Sequence, residues 1–115
     1  EKLKEENDVY SDRPSRGQLR YLDSVVSGVA NREEELNAQI SRFSIGWDIS
    51  RISRLARTVM QLALFEIQFV DDVPTGVAIA EAVRIAKLYD GDEAGAFVNG
   101  ILGTFARNLT SEVEV

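Results

Sequence analysis

The sequence predicts an all-α domain. Apolar residues recur at helical spacing along most of the 115 residues. Pro74 is typical of a helix start, and Asp90-Gly91-Asp92 is typical of a helix end. Asn99-Gly100 is common in hairpin turns, but no alternating strand pattern flanks it. A chain of this length buries roughly two thirds of the surface that its unfolded form exposes, which suffices for one core without disulfides.

Two helices are predicted in the first half of the chain, after a loop at residues 10–15. The first covers residues 16–30, and its apolar stripe consists of Leu19, Leu22, Val25, Val26 and Val29. Asn31 and Glu34 form a capping signature that predicts the start of the second helix. The apolar face of this helix consists of Leu36, Ile40 and Phe43, and Gly46-Trp47 ends it.

Four further segments follow, and the middle of the chain is the most apolar. Asp48 or Ser50 can cap a helix that carries Arg51, Arg54 and Arg57 on one broad face. Residues 58–70 are apolar nearly all round, which predicts a central, buried helix. The next helix has an apolar stripe of Ile79, Ala82, Val83, Ala86 and Tyr89. The last covers residues 93–108, with residues 110–115 as a flexible tail, and buries Phe97, Val98, Ile101, Leu102, Phe105 and Leu109.

Composition argues against several classes of function. The chain has no Cys and no His, so thiol chemistry and the usual neutral-pH general base are both missing. We therefore expect no catalytic residues, no metal site and no cofactor. Glu66 and Glu81 lie in apolar helices, where accepting a hydrogen bond from an Arg or a helix N-terminus is a more common role than catalysis. No apolar run is long enough to span a membrane, and a cytoplasmic location is expected.

The net charge of −6 argues against nucleic-acid binding by bulk charge, but the charge is unevenly distributed. Residues 42–57 contain four Arg and one acid, whereas residues 71–99 contain six acids and two basic residues. The Arg51, Arg54 and Arg57 row fits either phosphate contacts or a solvated face. Phe97 fits either a base-stacking aromatic or a core residue. The pattern alone leaves both alternatives open.

The order and spacing of the short motifs in the second half of the chain resemble those of the NusB family. Residues 54–67 read RLARTVMQLALFEI, and residues 73–102 read VPTGVAIAEAVRIAKLYDGDEAGAFVNGIL. The resemblance extends from about residue 20 to residue 107 and implies a NusB-like helical bundle of about five to six helices. The first two helices of the family, including its Arg-rich segment, have no counterpart, so we expect residues 1–115 to be a single domain that is incomplete at its N-terminus.

The resemblance implies a function in transcription antitermination. Family members bind boxA-type single-stranded RNA together with NusE, a small-subunit ribosomal protein, and thereby act on RNA polymerase, notably in ribosomal RNA operons. By position, the family's RNA-contacting patch carries over to Glu93 and Phe97, with Arg54 and Arg57 on its other side. No catalytic role is implied.

Four positions depart from the family pattern by lacking a polar or charged group that is usual there. Ala56 replaces an acid, Gln61 an Arg, Ala80 an Asn and Ala96 a basic or polar residue. Two alternatives therefore accompany the antitermination hypothesis. One is a protein-interaction or dimerisation module with little RNA binding, for which we expect a homodimer. The other is the NusB-like domain of a ribosomal RNA cytosine methyltransferase.

Overall fold

The computed structural model describes residues 15–114, and this part of the chain is all-helical. Its five α-helices are α1 (Arg16–Asn31), α2 (Glu33–Arg42), α3 (Arg54–Phe69), α4 (Thr75–Asp90) and α5 (Asp92–Glu114), and one 3-10 helix, η1, covers Ile49–Arg51. No strand occurs within residues 15–114. The all-α class and the number of helices are therefore as predicted. Of the loop predicted at residues 10–15, all but Ser15 lies outside the described residues.

Helix α3 is the centre of the fold. It contacts each of the other four α-helices. Met60, Ala63 and Leu64 are buried completely or nearly so on its inner side. A helix that is apolar on most sides is stable only if neighbours cover those sides, and α1, α2, α4 and α5 provide that cover. This confirms the prediction of a central, buried helix for residues 58–70.

Helices α4 and α5 pack closely against each other and are joined by a single residue, Gly91. Gly91 adopts φ 97°, a left-handed conformation that suits glycine and ends α4. The small residues Ala78, Ala82 and Ala86 form the buried stripe of α4. They face the apolar stripe of α5, which includes Val98, Ile101, Leu102 and Phe105. Small residues on one helix let large residues on its neighbour approach closely.

Three local predictions were wrong, the first being that Val26 belongs to the apolar stripe of α1, since its side chain is 60% exposed. Asn31 is the last residue of α1 rather than the cap of α2, because the chain passes from one helix to the next through Arg32 alone, whose N–H bonds the carbonyl of Val29 at 3.1 Å. Tyr89 is exposed rather than part of the α4 stripe. The buried positions of α4 repeat every four residues, and the next position in that series is Asp90, which is exposed at the end of the helix.

Helix boundaries elsewhere agree with the sequence to within a few residues. Pro74 precedes α4 directly, and Phe69 ends α3 just before Asp71-Asp72. Helix α5 continues to Glu114, beyond the predicted end at residue 108. The flexibility of residues 110–115 stays a prediction, and Val115 lies outside the described residues.

Candidate functional site

The start of helix α3 builds the wall of a surface cleft. Ser53 is extended (φ −73°, ψ 161°), and its hydroxyl oxygen accepts a hydrogen bond of 2.9 Å from the N–H of Ala56. The same hydroxyl donates to Asp90 at the end of α4. Ser53 therefore caps α3 and ties it to the α4–α5 turn. Arg51 belongs to η1, so the prediction that it shares one helix with Arg54 and Arg57 was wrong.

The cleft lies between the α2–α3 connection and the start of α5, with a volume of about 400 Å³. Its wall brings together residues from four segments: Trp47, Asp48, Arg51, Ile52, Ser53, Ala56, Asp90, Glu93, Ala94 and Phe97. A volume of this size lies within the range of small-molecule pockets, which is about 300–1,000 Å³. Two of the four predicted site residues, Glu93 and Phe97, line the cleft. Arg54 and Arg57 do not.

Phe97 and Trp47 form the aromatic part of the cleft. Their rings meet edge to face, with centroids 4.8 Å apart and an interplanar angle of 68°. Phe97 is 9% exposed and Trp47 is 39% exposed. Phe97 is thus a core residue with an edge on the cleft, and most of the accessible aromatic surface belongs to Trp47. The sequence contains a single Trp, placed after a Gly in a loop, and this was the available signal for a surface aromatic.

Carboxylates dominate the charge of the cleft. Asp48, Asp90 and Glu93 line it, against one cation, Arg51. The guanidinium of Arg51 lies 3.8 Å from Glu93 Oε1, and both side chains are largely exposed. Asp48 Oδ1 accepts hydrogen bonds from the hydroxyl (2.6 Å) and the N–H (3.1 Å) of Ser50. The hydrogen bond from the Ser50 hydroxyl, followed by the Ser50 N–H and the charge of Arg51, lowers the pKa of Asp48 below its usual value.

Arg54 and Arg57 form a basic edge beside this acidic cleft. They lie about one turn apart on α3. Arg54 directly follows Ser53 and Arg57 directly follows Ala56, and both Ser53 and Ala56 line the cleft. Each arginine is therefore rotated by about 100° around the helix axis from the cleft residue that precedes it. Arg54 is exposed and Arg57 is half-buried. Within residues 15–114, neither side chain has a carboxylate within 4.0 Å. Their charges are therefore available to an anionic ligand rather than neutralised by a neighbouring acid.

The departures from the family pattern have clear structural settings. Gln61 is nearly buried and donates a 2.8 Å hydrogen bond to Asn37 of α2, so it joins two helices. Ala56 is buried at the cleft wall, where its small side chain leaves room. Ala80 and Ala96 are exposed on α4 and α5. Three of the four changes therefore alter the surface or the cleft, whereas Gln61 has its hydrogen-bond partner, Asn37, within the fold.

The two carboxylates of the apolar helices have structural partners. Glu66 accepts a 2.7 Å hydrogen bond from the hydroxyl of Tyr21, and Glu81 pairs with Arg84 at 2.6 Å. The prediction of an Arg partner is confirmed for Glu81, and that hydrogen bond lowers its pKa. For Glu66 the partner is a tyrosine instead. Desolvation, together with the bond to Glu66, raises the pKa of Tyr21 to about 12.

The described part of the chain lacks two kinds of feature. Residues 15–114 hold no group of three or more Asp or Glu side chains arranged to bind a metal ion. None of the helices within this range combines the length and the apolar character needed to cross a lipid bilayer.

The chain is similar to known proteins over most of its length. Its residues 1–107 match the model of the NusB family. It is 48% identical to the transcription antitermination protein NusB of Acetivibrio thermocellus over 83 residues, which are 72% of this chain and 57% of that protein. It is 40% identical to the protein of the same name from Agathobacter rectalis over 107 residues, which are 90% of this chain and 82% of that protein. It is 45% identical to that of Desulfosudis oleivorans over 86 residues, which are 75% of this chain and 56% of that protein.

The chain therefore covers little more than half of the length of two of these three relatives. All three relatives carry the name transcription antitermination protein NusB. The family match and the identities lead to the same conclusion, namely that the chain belongs to the NusB family.

Proposed function

We propose that this chain is a transcription antitermination factor that binds boxA-type single-stranded RNA together with NusE. It modulates elongation by RNA polymerase through that complex, especially on ribosomal RNA operons, and works in the bacterial cytoplasm. The observation that supports this most is the family match over residues 1–107. The name transcription antitermination protein, which the three relatives share, favours this function over that of a methyltransferase domain.

The proposed RNA interface consists of the cleft and its basic edge. Arg54 is exposed and Arg57 is half-buried, and neither has a partner carboxylate in the described chain, so both can bind phosphates. Glu93 lies at the mouth of the cleft, where phosphates are repelled and base edges are not. Phe97 contributes through its edge and through its support of Trp47. A basic edge beside an aromatic cleft is a common arrangement for single-stranded RNA.

The test is a titration of fluorescein-labelled boxA-type RNA, followed by fluorescence anisotropy, with and without NusE. We expect saturable binding that strengthens when NusE is added. Arg57→Ala should weaken binding and reduce the slope of log K against log salt concentration by about 0.7, the value for one phosphate contact on a single strand. Arg84→Ala is the matched control, because Arg84 is exposed on α4 and paired with Glu81.

The proposal has a clear failure condition. If neither the chain nor its mixture with NusE binds the RNA at low salt, the antitermination function is wrong for this chain. If binding occurs but Arg54→Ala and Arg57→Ala match the Arg84→Ala control, the RNA-binding function holds and the assignment of the basic edge is wrong.

A homodimer is a second proposal about partners, independent of RNA. A depression between α1 and the end of α3 is lined by Ser24, Ser27, Gly28, Asn31, Arg32, Phe65 and Phe69. Phe69 there is 41% exposed, and Val26 nearby on α1 is exposed as well. Exposed apolar surface of this kind favours self-association. Light scattering at high protein concentration tests it, and a monomer throughout would overturn it.

A further inference from the structure

Trp47 is held in a fixed position at the mouth of the cleft. Its ring meets Phe97 edge to face at 4.8 Å on one side. It also packs on α5 at Gly100, where a Cβ atom would come within 2.8 Å of Trp47 Cζ2. Only a glycine at position 100 permits this approach. Contacts with Phe97 and Gly100 of α5 therefore hold the ring in place, while its accessible part lines the cleft.

The charge of the cleft selects against phosphate. Three carboxylates and one guanidinium line it, and the guanidinium already faces Glu93 at 3.8 Å. A phosphate placed beside Trp47 would meet net negative charge. An uncharged planar group meets no such penalty, and the aromatic wall favours it through stacking. Phosphates fit the adjacent edge with Arg54 and Arg57 instead.

The carboxylates also offer unused acceptor positions. Among the described residues, only Ser53 donates a hydrogen bond to the Asp90 side chain, whereas a carboxylate has about four acceptor sites. Glu93 lies beyond hydrogen-bond distance from Arg51, and its side chain is 79% exposed. Carboxylates accept hydrogen bonds from the exocyclic amino groups of bases, as in the pairing of Glu or Asp with the N4 amino group of cytosine. The cleft thus combines a stacking surface with acceptors for an amino group.

We propose that the cleft between Trp47 and Glu93 binds one unpaired nucleobase that bears an amino group, stacked on Trp47, while the flanking phosphates lie along Arg54 and Arg57. This inference rests on the proposed RNA-binding function and specifies its central subsite. Adenine, cytosine and guanine carry the required amino group, and uracil does not. Trp47 is then the principal stacking residue, and Phe97 is a positioning residue that supports it from the core.

The single tryptophan of the chain makes the test direct. BoxA-type RNA is added to the chain with NusE, and the fluorescence excited at 295 nm is followed beside the anisotropy of labelled RNA. If NusE contains tryptophan, its Trp residues are replaced by Phe beforehand. We expect RNA to quench the emission of Trp47 with the same midpoint as the anisotropy. An RNA series with one abasic position at a time should lose the quenching at one position only, and uracil at that position should weaken binding.

Four variants separate the subsite from general effects. Trp47→Leu keeps an apolar side chain but removes stacking, and we expect RNA binding about tenfold weaker, in the range for one base–aromatic stack. Ala94→Leu fills the cleft and should have a similar effect, whereas Ala96→Leu lies exposed on the same helix outside the cleft and should have none. Glu93→Gln should reduce the preference for an amino-bearing base over uracil. Circular dichroism confirms that each variant is folded.

Three results would overturn the inference. RNA binding by anisotropy with unchanged Trp47 emission and wild-type affinity in Ala94→Leu would reject the subsite and leave the proposed function intact. Quenching by NusE alone, with no further change on RNA addition, would show that a protein side chain occupies the cleft. Absence of any RNA binding would reject the proposed function and this subsite with it.

Discussion

The two concave regions at opposite ends of helix α3 both contain exposed aromatic rings, yet they differ in chemistry. At the N-terminal end, Trp47 lies against a buried Phe97 within a cleft lined by three carboxylates. At the C-terminal end, Phe69 lies in the depression beside α1, where no carboxylate is among the lining residues. Its ring instead faces the guanidinium of Arg32, 4.0 Å from the ring centroid.

Because of this difference, we propose only one of the two regions as the RNA interface. In the C-terminal depression, the guanidinium of Arg32 already makes a cation–π contact with the ring of Phe69. In the N-terminal cleft, the acids keep free acceptor positions and the neighbouring arginines keep free donors, as far as residues 15–114 are concerned. An exposed aromatic ring is therefore a weak sign of a binding site by itself. Unsatisfied polar groups around the ring make the difference.

The largest expected effect comes from truncating the aromatic ring at each end of α3. Phe97 is 9% exposed and Phe69 is 41% exposed. We expect Phe97→Ala to lower the free energy of unfolding by about 3–5 kcal/mol, since it empties a core position. Phe69→Ala should cost much less, because solvent already reaches that ring. Urea denaturation of both variants measures the difference. Equal losses would contradict the assignment of Phe97 to the core.

A smaller effect is expected from adding a methyl group at the two closest glycine contacts. A Cβ at Gly28 would lie 2.2 Å from Phe65 Cζ, and one at Gly100 would lie 2.8 Å from Trp47 Cζ2. Overpacking of this kind typically costs about 1–3 kcal/mol, partly offset by the better helix propensity of Ala. We expect both Gly→Ala variants to be destabilised, with Gly28→Ala the more so. Only Gly100→Ala should shift the emission maximum of Trp47, and a shift in Gly28→Ala instead would contradict the contact between Trp47 and Gly100.

The next smaller effect on stability is expected from removing the N-terminal cap of α3. Ser53 accepts from the N–H of Ala56 and donates to Asp90, so Ser53→Ala removes both bonds. We expect a loss of about 1 kcal/mol from the cap. Ser50→Ala is the matched control, since the Ser50 hydroxyl contacts only exposed Asp48 among the described bonds. Thermal denaturation compares the two, and a larger loss in Ser50→Ala would contradict the role of Ser53.

The smallest effect concerns pH and the α1–α3 contact. The pKa of Tyr21 is raised to about 12, from an ordinary value of 10.0, by desolvation and by its bond to Glu66. Because the folded-state pKa is the higher one, this contact stabilises the fold below pH 10, and the contribution is lost as the pH rises through 10 to 12. Absorbance titration at 295 nm should show one tyrosine titrating near 12, and Tyr21→Phe should remove it. Persistence of that transition would place the group elsewhere.

The fold was predictable because its signals are local. The buried stripe of α5 repeats at helical spacing, and Gly91 marks the turn before it, so both follow from the sequence. Tyr89 was misplaced because the stripe of α4 repeats every four residues rather than alternating between three and four. Asn31 was misplaced because two helices follow each other with no extended residue between them, and a capping signature does not report on this.

The cleft was only partly predictable, because it depends on contacts between distant segments. Glu93 and Phe97 were named through the family resemblance, and both line the cleft. Trp47 was missed, since its exposure depends on packing against Gly100, 53 positions away in the sequence. The role of Ser53 was missed for the same reason. Its hydroxyl meets Asp90, 37 residues later, and periodicity does not indicate such a contact.

The most direct test of the account is to map where RNA touches the chain. BoxA-type RNA carrying 4-thiouridine is cross-linked to the chain in the presence of NusE, and the modified peptides are identified by mass spectrometry. We expect cross-links within residues 47–57 and 90–97, the segments that form the cleft and its basic edge. Cross-links confined to residues 24–32 and 65–69, around the depression beside α1, would contradict it.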